Sequence, residues 1–449
     1  MGATASSNVS VVTVNFNGRR HLEGLLGALQ AQTYRDFEVL LVDNASTDGS
    51  AELVERRFPA VRLLRSEHNL GFTGGNNLGI AEARGEWVAL LNNDTLPEPD
   101  WLLRLVEAAT ASPGVAGVGS KILFARPFVP VELAVSTMSP AGDSRHLGVF
   151  VAERSGFEGC DYGKRIFASG FHGGERIGEH QGRWTTRQSV VYLPVESLDR
   201  PAELVLRLWG GQEAPSVRRL TVSIGEAEVA AHEVGQGWLE VGLTVPAALL
   251  GAAGFDVVNN AASFLEPDGR AGDRGIFEPD RGQYDTAEDV AALCGCSMLL
   301  SKAALDAVGG FDPDYFMYFE DTELSWRLRD AGYRLRYEPA SVVRHFHASA
   351  SVEWSPLFNF LVSRNRILML VRHARLRYAF RAWVEEVGRL LMLLRAHRSP
   401  RHVEVRTRMR LQASLALTAP KAVLKRIGWW RDTSTGSPAG RRVARGGLV

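Results

Sequence analysis

A carboxylate at the end of a buried strand can hold a cation, and Asp94 is such a group. Asn92-Asn93-Asp94 follows directly on the apolar run Trp87–Leu91. In an Asn- and Gly-rich crevice, that carboxylate suits a hard divalent cation gripping a diphosphate. The same tripeptide would also serve as an ordinary polar turn. A second polar turn, Asp43 to Ser50, follows Glu38–Val42. There Asp43 could accept hydrogen bonds from a base or ribose, while Asp48 or Ser50 caps the next helix. The most informative stretch is Phe311 to Asp321, where an aromatic run ends in Glu320-Asp321 just before an expected helix, Thr322–Ala331. Acids at a helix start are stabilised by the macrodipole. An aromatic wall beside a carboxylate also suits a sugar face and a general base. His345 and His347 follow the apolar pair Val342-Val343. They read either as structural histidines or as ligands completing a metal site.

The elements that must position these groups alternate in the α/β manner. Val9–Val14, Glu38–Val42, Val61–Arg65 and Trp87–Leu91 read as strands, and Arg19–Ala31 and Glu98–Thr110 as helices. Apolar strands alternating with helices predict a covered parallel sheet with its ligand site at the carboxyl ends. Asn15, Asp43/Asn44, Asn69 and Asn92–Asp94 lie at or just past those ends. The segment Asn69–Asn77 reads as a glycine-rich loop. No Gly-Lys-Ser/Thr follows it, and no G-x-G-x-x-G follows the first strand, which argues against an NTPase and a nicotinamide enzyme. From about Ala125 to Val257 the pattern changes. Seven short strands (Val131–Ser136, Leu147–Ala152, Ser189–Val195, Glu203–Trp209, Arg219–Ile224, Glu228–His232 and Trp238–Val245) with no helix among them predict an inserted β-sandwich. The α/β pattern resumes near Leu293, and from about Pro356 the chain reads as helical.

Composition narrows the class. The 449 residues, 45% hydrophobic and 23% charged, leave room for two or three globular domains. Three cysteines (Cys160, Cys294 and Cys296) cannot form a disulfide framework, which fits a reducing, intracellular setting. No secretory signal opens the chain, and no apolar run approaches a membrane span. The zero net charge hides an asymmetry: about 20 Lys/Arg against 4 Asp/Glu from Arg364 onward leave that piece near +16. With leucines at helical spacing and Trp429-Trp430, this reads as a basic amphipathic segment suited to peripheral contact with an anionic membrane. No nucleic-acid motif accompanies it, so nucleic acid is not expected as a partner. The stretch from Asp432 reads as disordered.

Taken together, VSVVTVNFNG, EVLLVDNASTDGS, NLGFTGGNN, WVALLNNDT, CGCSMLLSKAAL, GGFDPDYFMYFEDTELSWRLRDAGY and the histidine after VVR resemble, in order, the family-2 inverting glycosyltransferases of GT-A fold. The likeness is greatest to their rhamnosyltransferase-like branch. It covers roughly 1–124 and 258–375, and implies an α/β, Rossmann-like nucleotide-sugar-binding sheet in two halves. Residues 125–257 would then be an inserted all-β sandwich domain, and 376–449 a basic helical C-terminal extension. By position, the resemblance implies that Asn15, Asp43, Asn44, Asn69, Gly71, Asn76 and Asn93 hold the nucleotide. Asp94 and His345 would bind Mg²⁺ or Mn²⁺, and Asp321 of the Glu320-Asp321 pair would be the base. Asn92 replaces the first aspartate of the family's D-x-D motif, which makes His345 matter more, although His347 stands two residues on. The implied reaction moves a rhamnose-like sugar from a nucleoside-diphosphate donor to a glycan or lipid-linked glycan in cell-surface polysaccharide synthesis. The implied place is the cytoplasm, at the inner face of the plasma membrane. The Gln-x-x-Arg-Trp signature of processive synthases is missing. Two alternatives stand: a catalytically silent sugar-binding protein, against which intact Asp94 and Asp321 count, and a sugar nucleotidyltransferase, which Arg19-Arg20 after the first turn keeps open.

Overall fold

The computed structural model describes residues 8–140, 142–153, 166–211, 217–347, 355–395 and 402–426. Cys160, Trp429-Trp430 and the stretch from Asp432 lie outside them. The chain divides into two compact units, one of Met1–Leu123, Asn259–Ile276 and Gly282–Val449, the other of Phe124–Val258 and Phe277–Arg281.

The first unit begins β1 (Val9–Asn15), α1 (Arg19–Gln30), β2 (Phe37–Asp43), α2 (Ser50–Arg57), β3 (Arg62–Arg65), α3 (Gly71–Glu82), β4 (Trp87–Leu91), β5 (Thr95–Pro97), α4 (Trp101–Thr110) and β6 (Val115–Phe124). Helices α1 and α4 bury the leucines of their apolar faces, Leu22, Leu25, Leu26 and Leu29 on α1 and Leu102 and Leu105 on α4, in one core with Val9, Val11 and Ala89. The segment Asn69–Asn77, read as a loop, is instead a helix from Gly71 onward. Glycine and asparagine are poor helix formers, so the helix owes itself to its surroundings. The carbonyl of Phe316 accepts from the N–H groups of Phe72 and Thr73 at its first turn. Gly75 and Gly79 let it lie against β1 so closely that a Cβ would come within 2.6 Å of Val14 Cγ1 and 2.2 Å of Val12 Cγ1.

The second unit carries β7 (Phe128–Val135), β8 (Phe150–Ala152), β9 (Ile166–Ile177), β10 (His180–Pro194), β11 (Ala202–Trp209), β12 (Arg218–Ile224), β13 (Ala227–Val234), β14 (Trp238–Val245) and α5 (Ala247–Ala253). Alternate residues of its strands fill one core, among them Val131, Leu133, Val191, Leu206, Val222 and Leu243, and Leu147, Phe150, Ala152 and Trp184 form a second cluster. Two features differ from a seven-strand, helix-free sandwich. Strand β9 and helix α5 are additional, and the strands run in one hydrogen-bonded order, β13-β12-β7-β10-β8-β11-β14, with β9 beside β10. Strand β10 makes the continuity: Gln188–Pro194 pairs with β7, and Gly182–Trp184 with β8. The register between β9 and β10 is irregular, shifting between Arg183 and Val191.

The first unit resumes with β15 (Val258–Ala261), β16 (Ser263–Leu265), β17 (Ala271–Asp273), β18 (Glu288–Asp289), β19 (Ser297–Ser301), α6 (Lys302–Val308), α7 (Glu320–Asp330) and β20 (Arg334–His345). Its main sheet has the order β18-β20-β6-β19-β4-β1-β2-β3. The expected parallel sheet is therefore mixed. β3, β2, β1 and β4 are parallel, but β19 enters between β4 and β6 antiparallel to both. An apolar strand buried on both faces reads the same in either direction.

The chain continues through α8 (Pro356–His373), α9 (Leu376–Arg395) and α10 (His402–Arg426). Ile367, Leu368 and Leu370 of α8 share a core with Leu411 and Leu415 of α10 and with Tyr315. Much of the tail's basic charge is internal. Arg372 pairs with Asp312 and Asp314, Lys425 Nζ reaches Asp314 Oδ2 at 2.8 Å, and Arg408 pairs with Glu386. Among the described residues no helix is long and apolar enough to cross a membrane.

Candidate active site

The carboxyl ends of β1, β2 and β4 bring the first polar clusters together. Asn15 is fully buried: its Oδ1 accepts from Asn93 Nδ2 at 2.8 Å, and its Nδ2 donates to Ser46 Oγ at 3.1 Å. Gly18 leaves room for this junction, since a Cβ there would meet Asn93 Nδ2 at 2.1 Å. Asn44 holds the next segment. Its Nδ2 donates to Asn69 Oδ1 and the Gly71 carbonyl, and its Oδ1 accepts from Leu70 N. Asn69 Oδ1 also accepts from Gly71 N at 2.9 Å. The amides of Asn15, Asn44, Asn69 and Asn93 thus build the crevice wall, while Asn76 turns back along α3 to the Phe72 carbonyl. Asp43 differs. It is buried, its Oδ2 accepts a long 3.4 Å bond from Ser46 N, and its Oδ1 has no hydrogen-bond partner among the described residues. A buried acceptor left open is costly unless a ligand meets it.

Arg19 is the first residue of α1, and its guanidinium donates to the Asp48 carbonyl.

Just past the end of β4, Asp94 is buried and its Oδ1 lies 3.2 Å from His345 Nε2. The chain crosses here twice, because Phe346 N donates to the Asp94 carbonyl. A carboxylate and an imidazole at this spacing fit neighbouring ligands of one small cation, which stand about 3 Å apart when bonds are about 2.1 Å. Among the described residues no third His, Cys, Asp or Glu joins them. That donor set suits Mg²⁺ or Mn²⁺, which bind through one or two protein groups and leave other positions to phosphate and water. Asn259 touches both histidines, its Oδ1 2.9 Å from His345 Nδ1 and its Nδ2 3.1 Å from His347 Nδ1.

Asp321 stands in the first turn of α7. Its Oδ2 accepts from Gly295 N at 2.8 Å, and its Oδ1 from Thr322 N at 2.6 Å and Thr322 Oγ1 at 3.2 Å. Burial raises its carboxyl above the usual range, the backbone donors hold the rise down, and the nearby Asp273 carboxylate adds to it. Glu320 is more deeply buried, its Oε2 has no hydrogen-bond partner among the described residues, and burial followed by the Asp321 charge pushes it well above the usual range. The segment Cys294–Cys296 joins the two centres: Gly295 N binds Asp321, and the Cys296 carbonyl accepts from Asn92 N at 2.9 Å. Phe72 completes the connection, since a Cβ on Gly295 would meet its ring at 3.0 Å and Asp321 Oδ2 at 3.4 Å.

Sequence reasoning missed several groups that set this geometry. Asn365 of α8 is fully buried and donates to the carbonyls of Met317 and Tyr318, clamping the aromatic segment whose Tyr318 and Phe319 have φ of 71° and 69°. Arg327 binds Glu323 and the carbonyls of Val308, Gly309 and Gly310, tying α7 to the turn that precedes the aromatic run. Asp273, held by Asn260 Nδ2 at 2.6 Å, brings a third carboxylate towards Asp321. Only Asn259-Asn260 had a readable signal: Val257-Val258-Asn259-Asn260 repeats the pattern of Leu90-Leu91-Asn92-Asn93, an apolar run ending in paired asparagines.

Part of the first unit is similar in sequence to known proteins. Residues 10–124 match the profile of Glycosyl transferase family 2. The N-acetylglucosaminyl-diphospho-decaprenol L-rhamnosyltransferase of Mycobacterium tuberculosis is 36% identical over 123 residues, 25% of this chain and 40% of that protein. The succinoglycan biosynthesis protein ExoO of Rhizobium meliloti is 35% identical over 106 residues, 23% of this chain and 30% of that protein. This chain therefore spans well under half the length of these curated relatives. Among solved structures, GalNAc-T7 with UDP, GalNAc and Mn²⁺ aligns with 97% of this chain and 59% of its own, at 12% identity and a TM-score of 0.46. Residues 10–124 thus resemble the family-2 glycosyltransferases, and they lie on the mixed α/β sheet of the first unit. A rhamnosyltransferase is among the proteins this segment resembles.

Proposed function

We propose that the chain is an inverting, metal-dependent glycosyltransferase that moves a sugar from a nucleoside-diphosphate donor to a hydroxyl of a glycan or lipid-linked glycan. The observation that carries this is the pairing of two centres across Cys294–Cys296: Asp94 with His345 on one side, Asp321 on the other. The open Asp43 Oδ1 supports a role in holding the base or ribose, with Asn15, Asn44, Asn69, Gly71, Asn76 and Asn93 shaping the crevice. Asp94 and His345 would hold Mg²⁺ or Mn²⁺, which supplies positive charge opposite the leaving diphosphate. Asp321, partly exposed and with its carboxyl raised, takes the acceptor's proton as the hydroxyl attacks the anomeric carbon from the face opposite the diphosphate. One displacement inverts the configuration and needs no enzyme nucleophile.

The names of the relatives favour a rhamnose-like donor, a lipid-linked acceptor and a place in polysaccharide synthesis. Residues 125–257 are read as an inserted β module between two halves of one catalytic domain, 1–124 and 258–375, with 376–449 as a basic helical extension. Peripheral contact with an anionic membrane at the cytoplasmic face is assigned to α9. Leu376, Phe380, Trp383, Leu391 and Leu394 are exposed on it at helical spacing, with exposed Arg377, Arg381 and Arg389 alongside. The deciding experiment incubates the full chain with a panel of nucleoside-diphosphate sugars, Mn²⁺ and a lipid-linked glycan acceptor. A glycoside of inverted anomeric configuration supports the reading. In a parallel incubation with a sugar phosphate and a nucleoside triphosphate, release of pyrophosphate would mark a nucleotidyltransferase, and binding of the nucleoside-diphosphate sugar without any product a silent sugar-binding protein.

A further inference from the structure

Four aromatic side chains stand directly opposite one another across four strands of the second unit. In register, Trp184 of β10 faces Phe150 of β8, Phe150 faces Trp209 of β11, and Trp209 faces Trp238 of β14. Residues paired across a sheet point to one face, and their chain neighbours to the other. The neighbours Val149, Val151 and Leu208 lie in the unit's main core, with Leu239 packed against it, so the aromatic row lies on the opposite face. Phe150 and Trp184 are buried there in the second cluster, Trp209 is half-buried, and Trp238 ends the row 38% exposed. Ring centroids are 5.8 Å apart for Phe150 and Trp184, 5.4 Å for Trp184 and Trp209, and 6.4 Å for Trp209 and Trp238. Arg207 lies over the Trp238 ring, 5.4 Å from its centroid, and the His180 ring meets it edge to face at 4.5 Å. These contacts hold the exposed indole in one place. Further along the same face of β14, Glu240 and Thr244 are exposed, so the apolar surface there is confined to the row.

We propose that the outer end of this row, Trp209 and Trp238, is a glycan-binding platform, on which a neutral sugar ring stacks by its C–H face while Arg207 and Glu240 bond its hydroxyls. The main core is filled from the other face of the sheet, so folding does not account for an aromatic row that runs out to water. The chemistry on the page selects the occupant. A sugar ring is apolar on its face and carries hydroxyls round its rim, and an indole with polar groups beside it matches both. A hydroxyl donates and accepts. Arg207 offers donors and Glu240 offers acceptors side by side, with Arg207 Nε 3.8 Å from Glu240 Oε1. Charge argues against nucleic acid: residues 125–257 hold 12 Lys/Arg against 16 Asp/Glu, and a net negative module repels phosphates. Every residue of the platform belongs to the second unit, whereas Asp94 and Asp321 belong to the first. The proposal therefore stands apart from the catalytic reading.

The test uses the full chain, titrated calorimetrically with tetrasaccharides of glucan, mannan, galactan and rhamnan in the absence of any nucleotide. At least one should bind. Trp238→Ala and Trp209→Ala should each weaken that binding by about tenfold or more, the usual loss when a tryptophan central to a contact is truncated. Trp238→Phe keeps an aromatic face and should lose less than Trp238→Ala. Trp238 is exposed, so its truncation should leave the melting temperature close to that of the wild type, and circular dichroism checks that each variant is folded. Trp209 is half-buried; if Trp209→Ala does not fold, the two Trp238 variants decide alone. Failure of all the tetrasaccharides to bind, or binding that folded Trp238→Ala leaves unchanged, overturns the proposal. So does binding of a single-stranded RNA oligomer that Trp238→Ala abolishes, or a concentration-dependent dimer in sedimentation velocity that the same variant dissolves, because either gives the row a different occupant.

Discussion

Replacing Asp321 by asparagine separates its chemical role from its structural one. The carboxylate accepts three hydrogen bonds, from Gly295 N, Thr322 N and Thr322 Oγ1. Asparagine keeps the shape and one accepting oxygen, but its NH₂ must face a backbone N–H. That loss costs about 1–3 kcal/mol, and is partly offset because a buried charge goes too. Folding stability should therefore fall only modestly. A general base contributes about 10²- to 10⁴-fold, so turnover should fall by that factor, about 2.7–5.4 kcal/mol at 1.36 kcal/mol per decade. Donor affinity should be unchanged, because no donor-binding group has moved. The pH profile gives a second signature. A raised carboxyl is fully ionised only above its raised value, so the acid limb of wild-type kcat/KM should be centred above the ordinary aspartate value of 3.8 and vanish in the variant. Glu320→Gln is the control: that carboxyl is buried, pushed well above the usual range and has an unpartnered Oε2. The amide should cost less than tenfold in turnover and leave stability equal or higher at neutral pH. Release of nucleoside diphosphate measures turnover, and calorimetry with donor and Mn²⁺ measures affinity. A larger loss in Glu320→Gln, or a displaced donor affinity in Asp321→Asn, would refute the assignment of Asp321 as the base.

Four other outcomes are expected. Glu323 is buried between Arg327 and His373; burial alone would raise its carboxyl, but these partners outweigh it and hold the group well below the usual range. Its stabilisation is complete above its ordinary 4.5 and lost as pH falls below it. Glu323→Gln should thus cost about 3–5 kcal/mol at pH 7, a deficit that narrows on acidification in thermal unfolding curves. Gly79→Ala places a methyl 2.2 Å from Val12 Cγ1, so unfolding should be easier by about 1–3 kcal/mol, and unchanged stability would show that α3 can move off β1. Phe128 and Phe255 bond to each other in both directions, at 2.8 and 2.9 Å, so a short Gly-Ser linker replacing 128–255 should close and leave a soluble protein that still binds donor by calorimetry. Full-length protein should sediment with anionic liposomes at low salt and less at high salt, and exchanging Phe380, Trp383 and Leu391 for serine should abolish sedimentation; equal pelleting would remove α9 from the membrane.

What the sequence by itself determined was local. The apolar runs ending in Asn15, Asp43 and Asn92–Asp94 are strands β1, β2 and β4, because alternation and burial are written in neighbouring residues and the polar residue that stops each run marks its end. The acids opening α7 were legible for the same reason. Direction and partnership were not. Strand β19 lies antiparallel between β4 and β6, the glycine-rich segment becomes α3 on a carbonyl from Phe316, and Arg372 and Lys425 of the basic tail turn inward to Asp312 and Asp314. Nor could spacing show that Asn365 clamps the aromatic segment or that Asn259 meets both histidines. A residue's type limits which bonds it can make. The bonds it does make depend on which distant segment folding brings alongside, as when Asn77 meets Phe311 across 234 positions of chain, and only the tertiary structure decides that.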